Sequence, residues 1–172
     1  MRPDKDFDYS LLCSEEPIKV LAVEDDVISM SFLQTQIKNL GHDMLTATDG
    51  KEALSVLSAH LDDIDVVLMD REMPIMDGLT AVKHMKDNPS MRNIPVIMVT
   101  GADSIDEMQE GMDAGVFYYL TKPVEEAMLR SVLSAAVREA QQSRTLAEEL
   151  GKHKASFDLI DTAKFKFRTI AE

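Results

Sequence analysis

The chain has 172 residues, enough for one full domain with an appendage but short for two. Hydrophobic residues make up 45% and charged residues 28%, which argues against a disordered or membrane-embedded chain, and no apolar run approaches the roughly 20 residues of a bilayer span. A net charge of −13 argues against nucleic acid as a direct partner, and the single cysteine, Cys13, cannot form an internal disulfide. Residues 1–16 read as a leader, whose few apolar residues are diluted by acids, unlike a signal peptide. Cys13 is then an incidental thiol, and the cytoplasm is the expected compartment.

Residues 18–23 (IKVLAV) form a short β-rich run of the kind buried on both faces of a parallel sheet. Met30, Leu33, Ile37 and Leu40 then recur at helical spacing, and Gly41 supplies a stop. A weaker strand fits 44–47 (MLTA), and a helix carrying Ala53, Leu54 and Leu57 follows Asp49-Gly50. The run 64–69 (IDVVLM) is the third strand; Asp77-Gly78 reads as a turn opening the helix of Leu79 and Val82. The fourth strand, 95–99 (PVIMV), leads to a helix over 104–114 that Gly111 weakens. A fifth, weaker strand fits 117–120 (FYYL). From Val124 a helical pattern on Leu129, Leu133, Ala136, Ala140, Ala147 and Leu150 runs to Gly151. Strand and helix alternate five times. The pattern predicts a five-stranded, doubly wound parallel sheet with helices on both faces and an extended C-terminal helix and tail.

In an open parallel sheet, ligands gather at the carboxyl ends of the strands. Those ends carry Glu24, Asp25 and Asp26 after the first strand, Asp70 after the third, Thr100 after the fourth and Lys122 after the fifth. Carboxylates brought together repel one another, and burial worsens the repulsion. A hard divalent cation relieves it, and oxygen-only ligands point to Mg2+ rather than zinc. Phosphoryl transfer uses the same parts: a carboxylate nucleophile, Mg2+, a cation and a hydroxyl.

The segments VLAVEDD, VVLMDREMPIMDG, VIMVTG and AGVFYYLTKP, in that order, resemble the signatures of the bacterial two-component response-regulator receiver domain. The resemblance covers about residues 17–140 and implies the flavodoxin-like, CheY-like fold. It implies Asp70 as phospho-acceptor, Asp25 as a direct Mg2+ ligand, Glu24 acting mostly through a metal-bound water, and the backbone carbonyl of Glu72 as the remaining ligand. Thr100 and Lys122 would pair with phosphoryl oxygens, and Tyr119 would be an aromatic switch whose rotamer follows Thr100. The Lys122–Pro123 bond matches one usually cis in the family. The implied partner is a sensor histidine kinase or histidine phosphotransfer protein. The signal would leave through the face built from 104–114, 117–120 and the helix after Val124, and two copies would pair through that face or the C-terminal helix.

Plainer readings stand beside these. Asp26 and Asp77 suit solvated surface carboxylates, Met73 and Met76 packing, and Tyr119 a half-buried aromatic. His42, His60, His84 and His153 show no metal-like grouping. Glu72 and Asp103 depart from the family's commonest pattern; the resemblance implies that they flank the path of an attacking water, where they would disfavour an incoming anion. Small Gly101 leaves room for a phosphoryl donor. A haloacid-dehalogenase-type phosphatase would need an aspartate where Glu72 stands, and a degenerate scaffold would not need the intact Asp25, Asp70, Thr100 and Lys122 set.

The expected organisation is a leader at 1–16, a receiver at 17–140 and a helical linker or tail at 141–172. The tail holds 6 basic and 5 acidic side chains, so the acidic excess lies before it, and it is too short for a helix-turn-helix output domain. Phe157, Ile160, Ala163 and Phe167 suit an amphipathic dock or the lead-in to another domain. Thr169 and Glu172 match a capping box that opens a helix. A longer protein and a stand-alone receiver whose tail folds back or dimerises both remain open.

Overall fold

The computed structural model describes residues 17–101, 105–142 and 145. Residues 1–16 with Cys13, Asp103, and the expectations for Ala147, Leu150, Gly151 and the residues through Glu172 lie outside the described residues.

The chain divides into two units, Met1–Val137 and Arg138–Glu172. The first contains β1 (Lys19–Val23), α1 (Val27–Asn39), β2 (Asp43–Ala47), α2 (Gly50–Ala59), β3 (Val66–Asp70), α3 (Gly78–Asp87), β4 (Val96–Thr100), α4 (Ile105–Asp113) and β5 (Tyr118–Thr121). A fifth helix, α5, follows at 126–137. In the second unit residues 138–142 and 145 are helical, and the Thr145 hydroxyl donates to the Gln141 carbonyl at 3.0 Å. Among the described residues no helix is long and apolar enough to cross a membrane.

All five strands pair in parallel in the order β2-β1-β3-β4-β5. The expected doubly wound sheet is therefore present. Every residue of β3 and β4 is buried, including the polar Asp70 and Thr100 that end them, as expected of strands covered on both faces. Alternation along the strands divides the core. Leu21, Val67, Met69 and Met98 pack with α2 and α3 residues such as Leu57, Val82 and Met85. Val20, Leu68, Ile97 and Val99 face the other way, onto Leu33 and Ile37 of α1 and Leu129 and Leu133 of α5.

The first three helices each open on an aspartate whose side chain accepts a backbone amide: Asp26 for α1, Asp49 for α2 and Asp77 for α3. The expected turn and helix start at Asp77-Gly78 is present. Asp26 is exposed and hydrogen-bonded to the Ser29 amide at 2.8 Å, so it is a cap rather than a merely solvated carboxylate. Strand limits move by one or two residues from the periodicity reading. Asp70 and Thr100 are thus the last residues of β3 and β4, while Lys122 follows β5.

Candidate functional site

Glu24, Asp25 and Asp70 meet at the carboxyl edge because β1 and β3 are neighbours, with Val23 paired to Met69. Each offers a carboxylate oxygen, and these oxygens all lie within 4.8 Å of one another. Glu24 and Asp70 are buried, at 2% and 7% exposure, whereas Asp25 faces solvent. The Asp26 amide donates to Glu24 Oε1 at 3.2 Å, leaving the other oxygen turned to the cluster.

Lys122 enters from β5. Its Nζ forms an ion pair with Glu24 Oε2 at 2.7 Å and donates to Asp70 Oδ2 at 3.0 Å. Burial pushes the Glu24 carboxyl above its ordinary pKa, and Asp70 pushes the same way against Lys122. Burial alone would depress Lys122, but its two carboxylate partners outweigh that and hold the ammonium above its ordinary value. Three carboxylates against one ammonium leave a formal excess of two negative charges. The oxygen-only donor set and that excess both fit Mg2+. Glu24 and Asp25 could hold the ion with Asp70.

Thr100, at 5% exposure, ends β4 beside Asp70, whose register partner is Val99. Its carbonyl accepts the Lys122 amide at 2.8 Å. Tyr119 lies on β5 opposite Met98, half-buried against the α2–α3 side of the core. Glu72 is exposed and lines, with Asp25, Met73 and Asp77, an open cavity of about 470 Å3. The structure thus groups the carboxylates of Glu24, Asp25 and Asp70 within 4.8 Å, with Lys122 in contact with Glu24 and Asp70 and Thr100 adjoining. Asp26 and Asp77 serve as helix caps, and Tyr119 stands farther back. The Lys122–Pro123 bond is cis.

Gly78 explains why Asp-Gly follows the acceptor strand. A β-carbon there would overlap the carbonyl oxygen of Asp70, so only glycine lets α3 start against the end of β3. The Gly78 amide donates to the Arg71 carbonyl at 2.9 Å and fixes the loop between them.

Two features escaped the periodicity reading. Val27 and Ile28 are 80% exposed, and Ile28 and Phe32 border a cleft of about 460 Å3 that reaches Glu24 and Lys122. The signal was present: these apolar residues fall off the buried stripe of α1. The second is Arg71, whose guanidinium lies 3.7 Å from Glu110 of α4; Glu110 also pairs with Lys83 at 3.2 Å. A pair 39 positions apart leaves no local trace in sequence.

Comparison with known proteins agrees with this arrangement. The family model described as "Response regulator receiver domain" matches residues 20–134. The response regulator PleD of Caulobacter vibrioides is 33% identical over 138 residues, which is 80% of this chain and 29% of PleD. This chain therefore spans under a third of that relative's length. Among solved structures, the Vibrio cholerae chemotaxis protein CheY4 is 30% identical with a TM-score of 0.65, covering 70% of this chain and 99% of that one. The CheX-CheY-BeF3-Mg+2 complex from Borrelia burgdorferi is 28% identical with a TM-score of 0.65, covering 69% and 88%.

Proposed function

The chain belongs to the response regulator receiver domain family of two-component systems, and on that premise we propose that Asp70 is its phospho-acceptor. The observation that carries the reading is the grouping of Glu24, Asp25 and Asp70 with Lys122 bridging two of them. The donor would be a sensor histidine kinase or a histidine phosphotransfer protein. Exposed Val27, Ile28 and Phe32 beside the site give such a partner an apolar surface to rest on.

The chemistry follows from positions. A carboxylate oxygen of Asp70 attacks phosphorus, and the new P–O bond forms as the bond to the donor breaks, the donor leaving with the bonding pair. Lys122 sits 3.0 Å from Asp70 and needs only to transfer that contact to a phosphoryl oxygen. The Thr100 hydroxyl donates to another. Bound Mg2+ supplies neutralisation of charge on the phosphoryl oxygens. Asp25 and Asp70 would hold it directly, Glu24 at one remove, and Glu72 through its backbone carbonyl.

Thr100 and Tyr119 would then pass the change to the face of α4, β5 and α5, which signals to an output domain or partner. That face, or the C-terminal helix, would also pair two copies. The receiver would span 17–140, between a leader at 1–16 and a linker or tail at 141–172, in the cytoplasm. The charge of −13 speaks against direct nucleic-acid binding by this chain. The protein would catalyse only its own phosphorylation and dephosphorylation.

Incubation of the full chain with acetyl phosphate and Mg2+, read by intact mass, tests the reading. Wild type should gain one phosphoryl group and Asp70→Asn none, with unchanged circular dichroism. Acid-labile label on Asp70→Asn at wild-type yield would remove the assignment. Turnover of unrelated phosphomonoesters would instead mark a phosphatase, and no label on wild type a scaffold.

A further inference from the structure

Helix α1 presents Leu33, Gln36 and Ile37 to the interior. Gln36 is the outlier, a carboxamide at 5% exposure on a stripe otherwise apolar. Its Nε2 donates to the backbone carbonyl of Val124 at 2.7 Å, across 88 positions of sequence. Its Oε1 is buried and has no hydrogen-bond partner among the described residues. An unmet buried acceptor is costly, so the carboxamide carries a penalty that only its bond to Val124 offsets. The carboxamide is therefore expensive where it stands, and its one bond shows what it secures.

That bond lands on the connection that carries Lys122. Two residues before Val124, the Lys122 amide donates to the Thr100 carbonyl at 2.8 Å. Lys122 is thus held between two anchors, one to β4 on its own amide and one to α1 just beyond it. The geometry points to Gln36 as a positioning residue: by fixing the β5–α5 connection to α1 it sets the reach of the Lys122 ammonium to Asp70 and to a phosphoryl group there. This inference rests on the phospho-acceptor reading of Asp70. Gln36 touches no reacting atom and acts only through Lys122.

The test uses the full chain with Gln36→Leu, which removes both the donor and the stranded acceptor, and Gln36→Met as a second unbranched replacement. Thermal stability should change little, because the unmet Val124 carbonyl offsets relief of the stranded Oε1. Mg2+ affinity should match wild type, because the carboxylate cluster does not use the Val124 anchor. Affinity for beryllofluoride and the rate of labelling by acetyl phosphate should both fall by about fivefold, the scale of one net hydrogen bond. In a Lys122→Ala background the same Gln36 change should cost nothing further. A structural role alone would not produce that split or that loss of additivity. The inference is overturned if folded Gln36→Leu and Gln36→Met are labelled at the wild-type rate, or if the loss persists without Lys122. Absence of labelling in wild type would instead overturn the phospho-acceptor reading, and this inference with it.

Discussion

The hydroxyl of Tyr119 rests against the backbone of Gly111, so close that a β-carbon on the glycine would overlap the phenol oxygen. Helix α4 therefore carries a notch at Gly111, and the tyrosine of β5 occupies it. The sequence marked Gly111 only as a weak point in a helix. In the structure it is the space that lets the ring lie inward against the core formed with α2 and α3.

Gly111→Ala should accordingly displace the ring or the helix without any phosphate. Alanine is favoured over glycine within helices by about 1 kcal/mol, so α4 itself should persist. NMR of the unphosphorylated variant should show the Tyr119 ring and the amides of α4 and β5 shifted from wild type. The shifts expected on phosphorylation should then be smaller, because part of the two-state change has been made in advance. Spectra identical to wild type would show that the notch does not constrain the ring.

Mg2+ should raise the melting temperature of the unphosphorylated protein, since an ion bound only by the folded state stabilises it by mass action. The source is relief of repulsion among Glu24, Asp25 and Asp70. Asp25→Ala, which removes the exposed carboxylate and leaves the buried pair with Lys122, should lose most of that rise. An undiminished rise in thermal melts would place the ion elsewhere.

Asp77 should contribute a pH-dependent share of stability. Partial burial works to raise its pKa, but the hydrogen bonds from the Thr80 amide and hydroxyl, both 2.8 Å, outweigh this and hold it below the ordinary range. A carboxyl with a lowered folded pKa stabilises fully above about pH 4 and loses that contribution as pH falls through the lower folded value. Asp77→Ala should cost about 1 kcal/mol in urea unfolding at neutral pH, the scale of a lost N-cap. Asp77→Asn should stay near wild type at neutral pH and lose less stability on acidification. Equal acid sensitivity in Asp77→Asn would refute the assignment.

Ile75 occupies the left-handed region at φ +67° while 81% exposed, in the loop between Asp70 and α3. A β-branched residue there meets its own backbone, and little packing repays the strain. Ile75→Gly should therefore raise stability by about 1 kcal/mol, because glycine adopts a positive φ without a β-carbon to clash. A fall in the urea midpoint would mean that the exposed isoleucine makes contacts worth more than the strain.

Much of the fold was legible because burial leaves local periodicity. The short apolar runs at 18–23, 64–69 and 95–99 suited strands covered on both faces, and Leu33 and Ile37 marked the buried face of α1. Much of the site was legible too, because parallel topology puts strand ends on one edge, and Glu24, Asp25, Asp70, Thr100 and Lys122 all sit at strand ends. Tertiary structure alone decided that β1 lies next to β3, which brings the carboxylates within 4.8 Å and lets Lys122 bridge Glu24 and Asp70. It also decided that Gln36 reaches Val124 and that Gly111 admits Tyr119. The physical reason is the range of the forces involved. Apolar burial repeats with the period of its own helix or strand and is written along the chain. The partner of a polar or missing side chain is set by whichever distant segment the sheet order brings beside it.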